Sequence, residues 1–112
     1  MSYRKLGVVE QHRRSMLANL TIELIMNEAI VTTDQRAKEA KKQTEKMITY
    51  IKKGTLVNRR KAYAFLYNRS DVVKKLDELA IRYKDRNGGY TRIIKIKERR
   101  GDDALMVKLE LV

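Results

Sequence analysis

The residues of this chain that could carry out acid–base or metal chemistry are few and poorly placed for it. His12 is the single histidine, and no residue at a local spacing is positioned to orient it as a general base. Asp102 and Asp103 are adjacent carboxylates, but one dipeptide supplies too few oxygen ligands for a dedicated Mg²⁺ site. We therefore expect His12 to begin a helix or take part in binding, and the aspartates to form turn hydrogen bonds or pair with nearby arginines.

Composition excludes two further classes of site. The chain has no cysteine, so disulfides and thiolate metal sites cannot form. The stretch GDDALMV, residues 101–107, lacks the second glycine and the lysine of a phosphate-binding Walker loop. The sequence thus predicts no catalytic residue, no metal, no cofactor and no small-molecule substrate.

The charge balance indicates a polyanionic partner. Lysine and arginine number 26 against 14 aspartate and glutamate residues, which gives a formal net charge of +12 at pH 7. Self-repulsion at this charge opposes compaction, so we expect an external counter-charge, with nucleic acid the commonest source and an anionic membrane surface the second. No apolar run has the length of a signal peptide or a membrane span, which favours a cytosolic soluble protein.

The basic residues fall into four blocks that no acidic block offsets, a pattern typical of nucleic-acid binding. Arginine is prominent in the last block, and its planar fork suits bidentate phosphate contact. Tyr90 follows two glycines that let a backbone approach a ligand, so its ring is placed either to stack on a base or to pack on the sheet. The blocks are Arg4 with Lys5, Arg13 with Arg14, Arg59 with Arg60 and Lys61, and the set of Arg92, Lys95, Lys97, Arg99 and Arg100.

Hydrophobic periodicity predicts the elements that carry these blocks. Residues 1–11 show charge without periodicity and are expected to form a basic N-terminal arm. Glycines at 54 and 88–89 supply helix stops. The predicted elements are a helix from His12 to Asn27, a strand from Ala29 to Thr33, a second helix capped by Thr32 or Thr33 and ended by Gly54, a third helix over 56–68, and a fourth from Ser70 to Gly88.

The C-terminal segment has the alternation of a β-hairpin. Leu105, Val107, Leu109 and Leu111 share one face of a strand, and Ile94 and Ile96 are the apolar positions of the strand before it. The strand at 29–33 most simply adds to this hairpin as a third strand. We therefore predict one domain over residues 1–112 with a two-layer α+β fold, in which the helices pack on one face of a small, about three-stranded sheet.

Six stretches along the chain resemble one known family. They are YRKLG at 3–7, HRRSMLANL at 12–20, IVTTDQRAKEAKK at 30–42, NRRKA at 58–62, YKDRNGGYTRI at 83–93 and RRGDDALMVKLELV at 99–112. Together they span essentially the whole chain in order, and the sequence resembles the family of bacterial-type large-subunit ribosomal protein number seventeen.

The resemblance implies a structural protein without enzymatic activity, located in the large ribosomal subunit of the cytoplasm. Its implied partners are large-subunit ribosomal RNA and neighbouring ribosomal proteins, among them the small protein number thirty-two. The mechanism we expect is charge neutralisation with shape fit, so that several RNA segments are clamped together. From the basic blocks and the resemblance, the predicted RNA-binding residues are Arg4, Lys5, His12, Arg13, Arg14, Arg59, Arg60, Lys61, Arg86, Tyr90, Arg92, Lys95, Lys97, Arg99 and Arg100.

Two other function classes stay open at this point. A DNA-binding or nucleoid-associated protein would need a recognition helix, for which the segment from Arg59 to Tyr67 is the one candidate. A small RNA-processing enzyme would need a general base, for which the sequence offers His12 alone.

Overall fold

The computed structural model describes residues 10–98, 101 and 104–112. The helices and strands follow one another in the order that the periodicity predicts, with one strand between the first two helices and a hairpin after the fourth helix. The elements are α1 (Glu10–Asn27), β1 (Ala29–Thr33), α2 (Asp34–Lys53), α3 (Leu56–Phe65), α4 (Ser70–Arg82), β2 (Thr91–Glu98) and β3 (Leu105–Leu111).

The three strands form one antiparallel sheet with β3 in the centre. β3 pairs with β2 on one side and with β1 on the other, giving the order β1-β3-β2. The C-terminal hairpin and the addition of the first strand to it are therefore confirmed. Alternation along β3 places Val107, Leu109 and Leu111 on one face, where all three are buried.

The helices cover that same face of the sheet. α2 and α4 each bury an apolar stripe, including Ala40 and Ile48 of α2 and Val73 and Leu76 of α4, which are fully excluded from solvent. These side chains join those of β3 in one hydrophobic cluster. The two-layer α+β prediction is confirmed, and β-strand side chains on the opposite face are left uncovered.

The predicted core positions of β2 are wrong. Ile94 and Ile96 are exposed by 42% and 48%, whereas Thr91 is buried and Ile93 packs against the core. The register explains the difference, because Ile93 lies opposite buried Leu109 and Ile94 lies opposite Lys108. A bulge between Lys95 and Lys97 then interrupts the alternation.

The helix boundaries differ from the sequence interpretation at several ends. α1 begins at Glu10, so Glu10 and Gln11 are helical, and the remaining arm residues, 1–9, lie outside the described residues. Thr33 is the N-cap of α2 without a side-chain hydrogen bond. α3 ends at Phe65, and α4 ends at Arg82, well before the glycine pair, because Tyr83 already leaves helical geometry. Gly54 does end α2, with a left-handed φ of 69°.

Glu28 ties the start of the sheet to α4. Its backbone turns from α1 into β1 with φ 66°, and its carbonyl accepts from the amide of Leu111 at 2.9 Å. Its carboxylate accepts hydrogen bonds from both terminal nitrogens of Arg82, at 2.7 and 2.8 Å, and from Lys75 at 2.8 Å. The hydrogen bonds from Arg82 and then Lys75 lower the pKa of Glu28 to about 2.

We predict that Glu28→Gln destabilises the protein by about 1 kcal/mol at pH 7, since solvent screens this partly exposed cluster. The folded-state pKa lies below the ordinary 4.5, so the stabilisation is present above that value and is lost as the pH falls towards 2. Urea unfolding of the two proteins should therefore show a difference in unfolding free energy that shrinks across this window.

Glu23→Gln is the matched control, because Glu23 is exposed on α1. It should not reproduce the pH-dependent difference. A Glu28→Gln protein as stable as the unmodified chain at every pH would show that this cluster contributes nothing to the fold.

Candidate nucleic-acid interface

Two of the predicted basic blocks present exposed cations at the surface. On α3, Arg60 and Lys61 are exposed, and on β2, Lys95 and Lys97 are exposed. Within the described ranges, none of these four has a carboxylate partner. Their charges are therefore free to bind an external anion.

The C-terminal half of α2 positions both blocks. Lys61 of α3 lies over the ring of Tyr50, with Nζ 5.6 Å from the ring centroid. At the start of β2, the hydroxyl of Thr91 donates to Glu45 at 2.7 Å. Because both contacts are made by one helix, the α3 cations and the start of β2 are held by a common rigid support.

Arg59, in contrast, is engaged within the protein. Its guanidinium donates to both carboxylate oxygens of Asp77 on α4, at 2.8 and 3.0 Å, and this pairing raises its pKa further above the usual range. Asp77 thereby offsets one of the cations near the positive end of the α3 dipole. Arg59 lines a shallow cleft of about 420 Å³ with Ser70 and Lys74, but its charge is already balanced.

Arg92 is also paired, on the outer side of the sheet. Its Nε donates to Glu110 at 2.6 Å, and the Nζ of Lys108 lies 3.4 Å from the other oxygen of the same carboxylate. The hydrogen bond from Arg92 is the main cause that lowers the pKa of Glu110. Arg92 remains 61% exposed, so it keeps surface for a ligand, but an anion has to compete with Glu110.

The three predicted contacts in the first turns of α1 differ in how far their side chains are exposed. His12 and Arg14 are exposed, and Arg14 lies 3.6 Å from Glu10. Arg13 is buried, with a side-chain exposure of 5% and a nitrogen 3.7 Å from the Glu10 carboxylate. His12 lines an open groove with Ser15 and with Arg69 of the turn before α4. The structure therefore buries Arg13 and leaves His12 and Arg14 at the surface.

Tyr90 belongs to the core and is not available for base stacking. It is only 3% exposed, and its ring lies 5.2 Å from the ring of Tyr83. Its hydroxyl accepts from Lys52 at 3.0 Å and donates to the carbonyl of Arg86 at 3.2 Å. Lys52 also donates to that carbonyl, and the Arg86 guanidinium, which is exposed, donates to the carbonyl of Gly89 at 3.3 Å. Of the two roles that the sequence left open for Tyr90, the structure shows the packing one.

Four predicted contacts, Arg4, Lys5, Arg99 and Arg100, lie outside the described residues, as do Asp102 and Asp103. Sequence reasoning missed Lys74, which shares the cleft with Arg59. Its signal was weak, because a lysine on the outer side of an amphipathic helix is ordinary. The cleft is formed by α3 and α4 together, so it could not be predicted from the sequence of either helix alone.

Other classes of site find little support in the described part of the chain. No group of three or more histidine, aspartate or glutamate side chains is arranged to hold a metal ion there. Among the helices of residues 10–98, none combines the length and apolar character that crossing a membrane requires.

Comparison with known proteins gives one consistent family. Residues 16–112 match the family described as Ribosomal protein L17. A relative from Ligilactobacillus salivarius is 56% identical, with 100% of this chain and 99% of the relative covered, and one from Fusobacterium nucleatum is 55% identical, with 99% and 96% covered. A third, from Caldanaerobacter subterraneus, is 53% identical with both chains fully covered. All three are named "Large ribosomal subunit protein bL17".

We predict that Tyr90→Phe destabilises the protein by about 1 kcal/mol, because it removes a part-buried hydrogen-bonding hydroxyl and keeps the ring. Affinity for RNA should stay unchanged. Urea unfolding and filter binding measure the two effects, and Tyr67→Phe is the control, since the Tyr67 hydroxyl makes only an exposed contact with Ser15. Weaker RNA binding by a folded Tyr90→Phe protein would contradict the structural role.

Proposed function

The chain belongs to the ribosomal protein L17 family, and we propose that as a structural protein of the large ribosomal subunit it clamps ribosomal RNA through distributed lysine and arginine contacts. The observation that carries this proposal is the division of its cations into two groups. Arg59, Arg82 and Arg92 are paired with carboxylates of the protein, whereas Arg60, Lys61 and the β2 lysines face solvent without one in the described ranges.

Phosphate is the ligand that this second group fits best. Lysine and arginine side chains on separate elements neutralise phosphates along an RNA chain, and each contact releases a counterion. A rigid support for α3 and the start of β2 fixes the relative positions of their cations, so that a folded RNA fits them better than a flexible strand does. Arg86 is exposed as well, and Arg92 adds to this group only where an anion displaces Glu110.

The proposal includes no catalysis, cofactor or small-molecule substrate, and it locates the chain in the cytoplasm as part of the subunit. Neighbouring large-subunit proteins are its second class of partner, the small protein number thirty-two being the candidate. A DNA-reading role is less well supported. Its one candidate helix, α3, has ten residues, and its Arg59 is held by Asp77.

The first test is the salt dependence of binding to a transcript of large-subunit ribosomal RNA. Affinity should fall steeply and linearly with salt on a logarithmic plot, because counterions are released. In the double variant Arg60→Ala with Lys61→Ala, the magnitude of the slope should decrease by about 1.5, which is roughly 0.7–0.9 for each phosphate that the protein no longer neutralises.

The matched control exchanges the two cations, Arg60→Lys with Lys61→Arg, and should retain the original slope. Circular dichroism should show that both double variants are folded, since Arg60 and Lys61 lie outside the core. A nearly flat slope for the unmodified protein would refute the phosphate mechanism, and an unchanged slope for the alanine variant would remove α3 from the interface.

A further inference from the structure

An open groove runs along one side of α1. Its volume of about 610 Å³ lies within the range of pockets that hold small organic ligands. Met16 and Leu20, both half-buried, give it an apolar lining, and Arg69 of the turn before α4 lines it from a second element. We call it the α1 groove. Its polar side chains on α1 are His12, Ser15, Asn19 and Glu23.

An exposed aromatic ring stands beside this groove. The hydroxyl of Tyr67, in the turn between α3 and α4, donates to Oγ of Ser15 at 3.1 Å, so the ring is held at the edge of the groove. Tyr67 is 53% exposed, and every other aromatic side chain of the described residues is at least partly buried. The α1 groove is therefore bordered by a π surface on which a planar ligand can stack.

The backbone holds this ring at the surface at a conformational cost. Tyr67 and Asn68 have left-handed φ angles of 56° and 57°, in a region that glycine and asparagine occupy readily and tyrosine does not. The Asn68 amide fixes the turn by donating to the carbonyl of Tyr63 at 2.7 Å. Burial of the ring does not offset the cost, because Tyr67 is more than half exposed. Such strain at an exposed side chain is typical of a binding site.

A free carboxamide along the groove indicates an adenine base. Asn19 lies one turn of α1 beyond Ser15, about 6 Å along the helix axis, and its side chain makes no hydrogen bond within the described residues. A carboxamide offers a donor and an acceptor side by side, which match N7 and the N6 amino group of adenine. A base that stacks on Tyr67 next to Ser15 presents this edge to Asn19.

The charges at the two ends of the groove orient the nucleotide. Glu23, two turns beyond Ser15, has no cation partner in the described ranges, so its carboxylate repels phosphate. At the opposite end, the imidazole of His12 offers an N–H donor in either protonation state, and no described residue accepts from it. Arg69 is already paired with Asp71. The sugar and phosphate therefore fit best at the His12 end.

We propose that the α1 groove binds one unpaired adenosine of the ribosomal RNA, whose base stacks on Tyr67 and hydrogen-bonds to Asn19 while its phosphate lies near His12. Unpaired bases are the part of an RNA that proteins read by stacking and by hydrogen bonds. This inference rests on the proposed function, since the adenosine belongs to the RNA that the cations clamp. It adds recognition of a base to contacts that neutralise phosphates.

Binding of the full chain to a large-subunit RNA transcript tests the stacking contact. Tyr67→Ala should weaken the affinity about tenfold, because one base–aromatic stack is lost. The slope of affinity against salt should stay that of the unmodified protein, because no phosphate contact is lost. Tyr67→Phe keeps the ring and should keep the affinity. Circular dichroism should show that both variants are folded, since residue 67 lies outside the core.

Tryptophan fluorescence tests the identity of the base. The chain has no tryptophan, so Tyr67→Trp places a single reporter at the stacking position. A short oligouridine with one central adenosine should quench it at about tenfold lower concentration than oligouridine alone, and Asn19→Ala in the same chain should abolish this difference. Ile81→Trp is the control, because residue 81 is 77% exposed on α4 and does not line the groove. Its fluorescence should distinguish neither oligonucleotide.

The outcomes separate this inference from the proposed function. If the unmodified chain does not bind the transcript, the proposed function falls and this inference falls with it. If the chain binds, but a folded Tyr67→Ala protein binds equally well or with a smaller salt slope, only the adenosine site is overturned. Equal quenching by the two oligonucleotides would overturn the assignment of adenine. Quenching by free AMP at the same concentration as by the adenosine-containing oligonucleotide would overturn it in favour of a mononucleotide site.

Discussion

Burial of one face of a central strand is the constraint on which the rest of this structure depends. Val107 and Leu109 of β3 are fully buried, and they can be so only if β1 and β2 flank the strand while helices cover its inner face. In this arrangement the helices lie on one side of the sheet, and no helix covers the other side within the described residues. The same packing therefore produces both the core and the uncovered face of the sheet.

The cations around this core divide into those that are paired with carboxylates of the fold and those that are not. Glu28 and Asp77 each hold cations of α3 or α4 by bidentate hydrogen bonds, which link elements far apart in sequence. Lys61, Lys95 and Lys97 lie at the surface instead, without a carboxylate partner among residues 10–98, 101 and 104–112. A net charge of +12 is compatible with a stable domain because some cations are paired with carboxylates of the protein and the others are solvated.

The sequence predicted the buried side of an element correctly where a single hydrophobic period runs along the whole element. The stripes of α2 and α4 and the alternation of β3 predicted the buried residues and the order of the layers. Ile94 and Ile96 were assigned to the wrong side because a strand with apolar residues at both parities, followed by a bulge, has no single alternation to read. The burial of Arg13 could not be predicted from local patterns, since the burial of a side chain depends on elements that pack beside it. The pairing of Arg59 with Asp77 likewise joins two helices.

If the protein clamps RNA as we propose, its unpaired surface lysines contact ribosomal RNA in the assembled subunit. Amine labelling of the free protein and of purified large subunits, followed by mass spectrometry, compares the reactivity of each lysine directly. Lys61, Lys95 and Lys97 should be strongly protected in the subunit, and digestion of the RNA should restore their reactivity. Equal labelling of all three in the free protein and in the subunit would contradict the account.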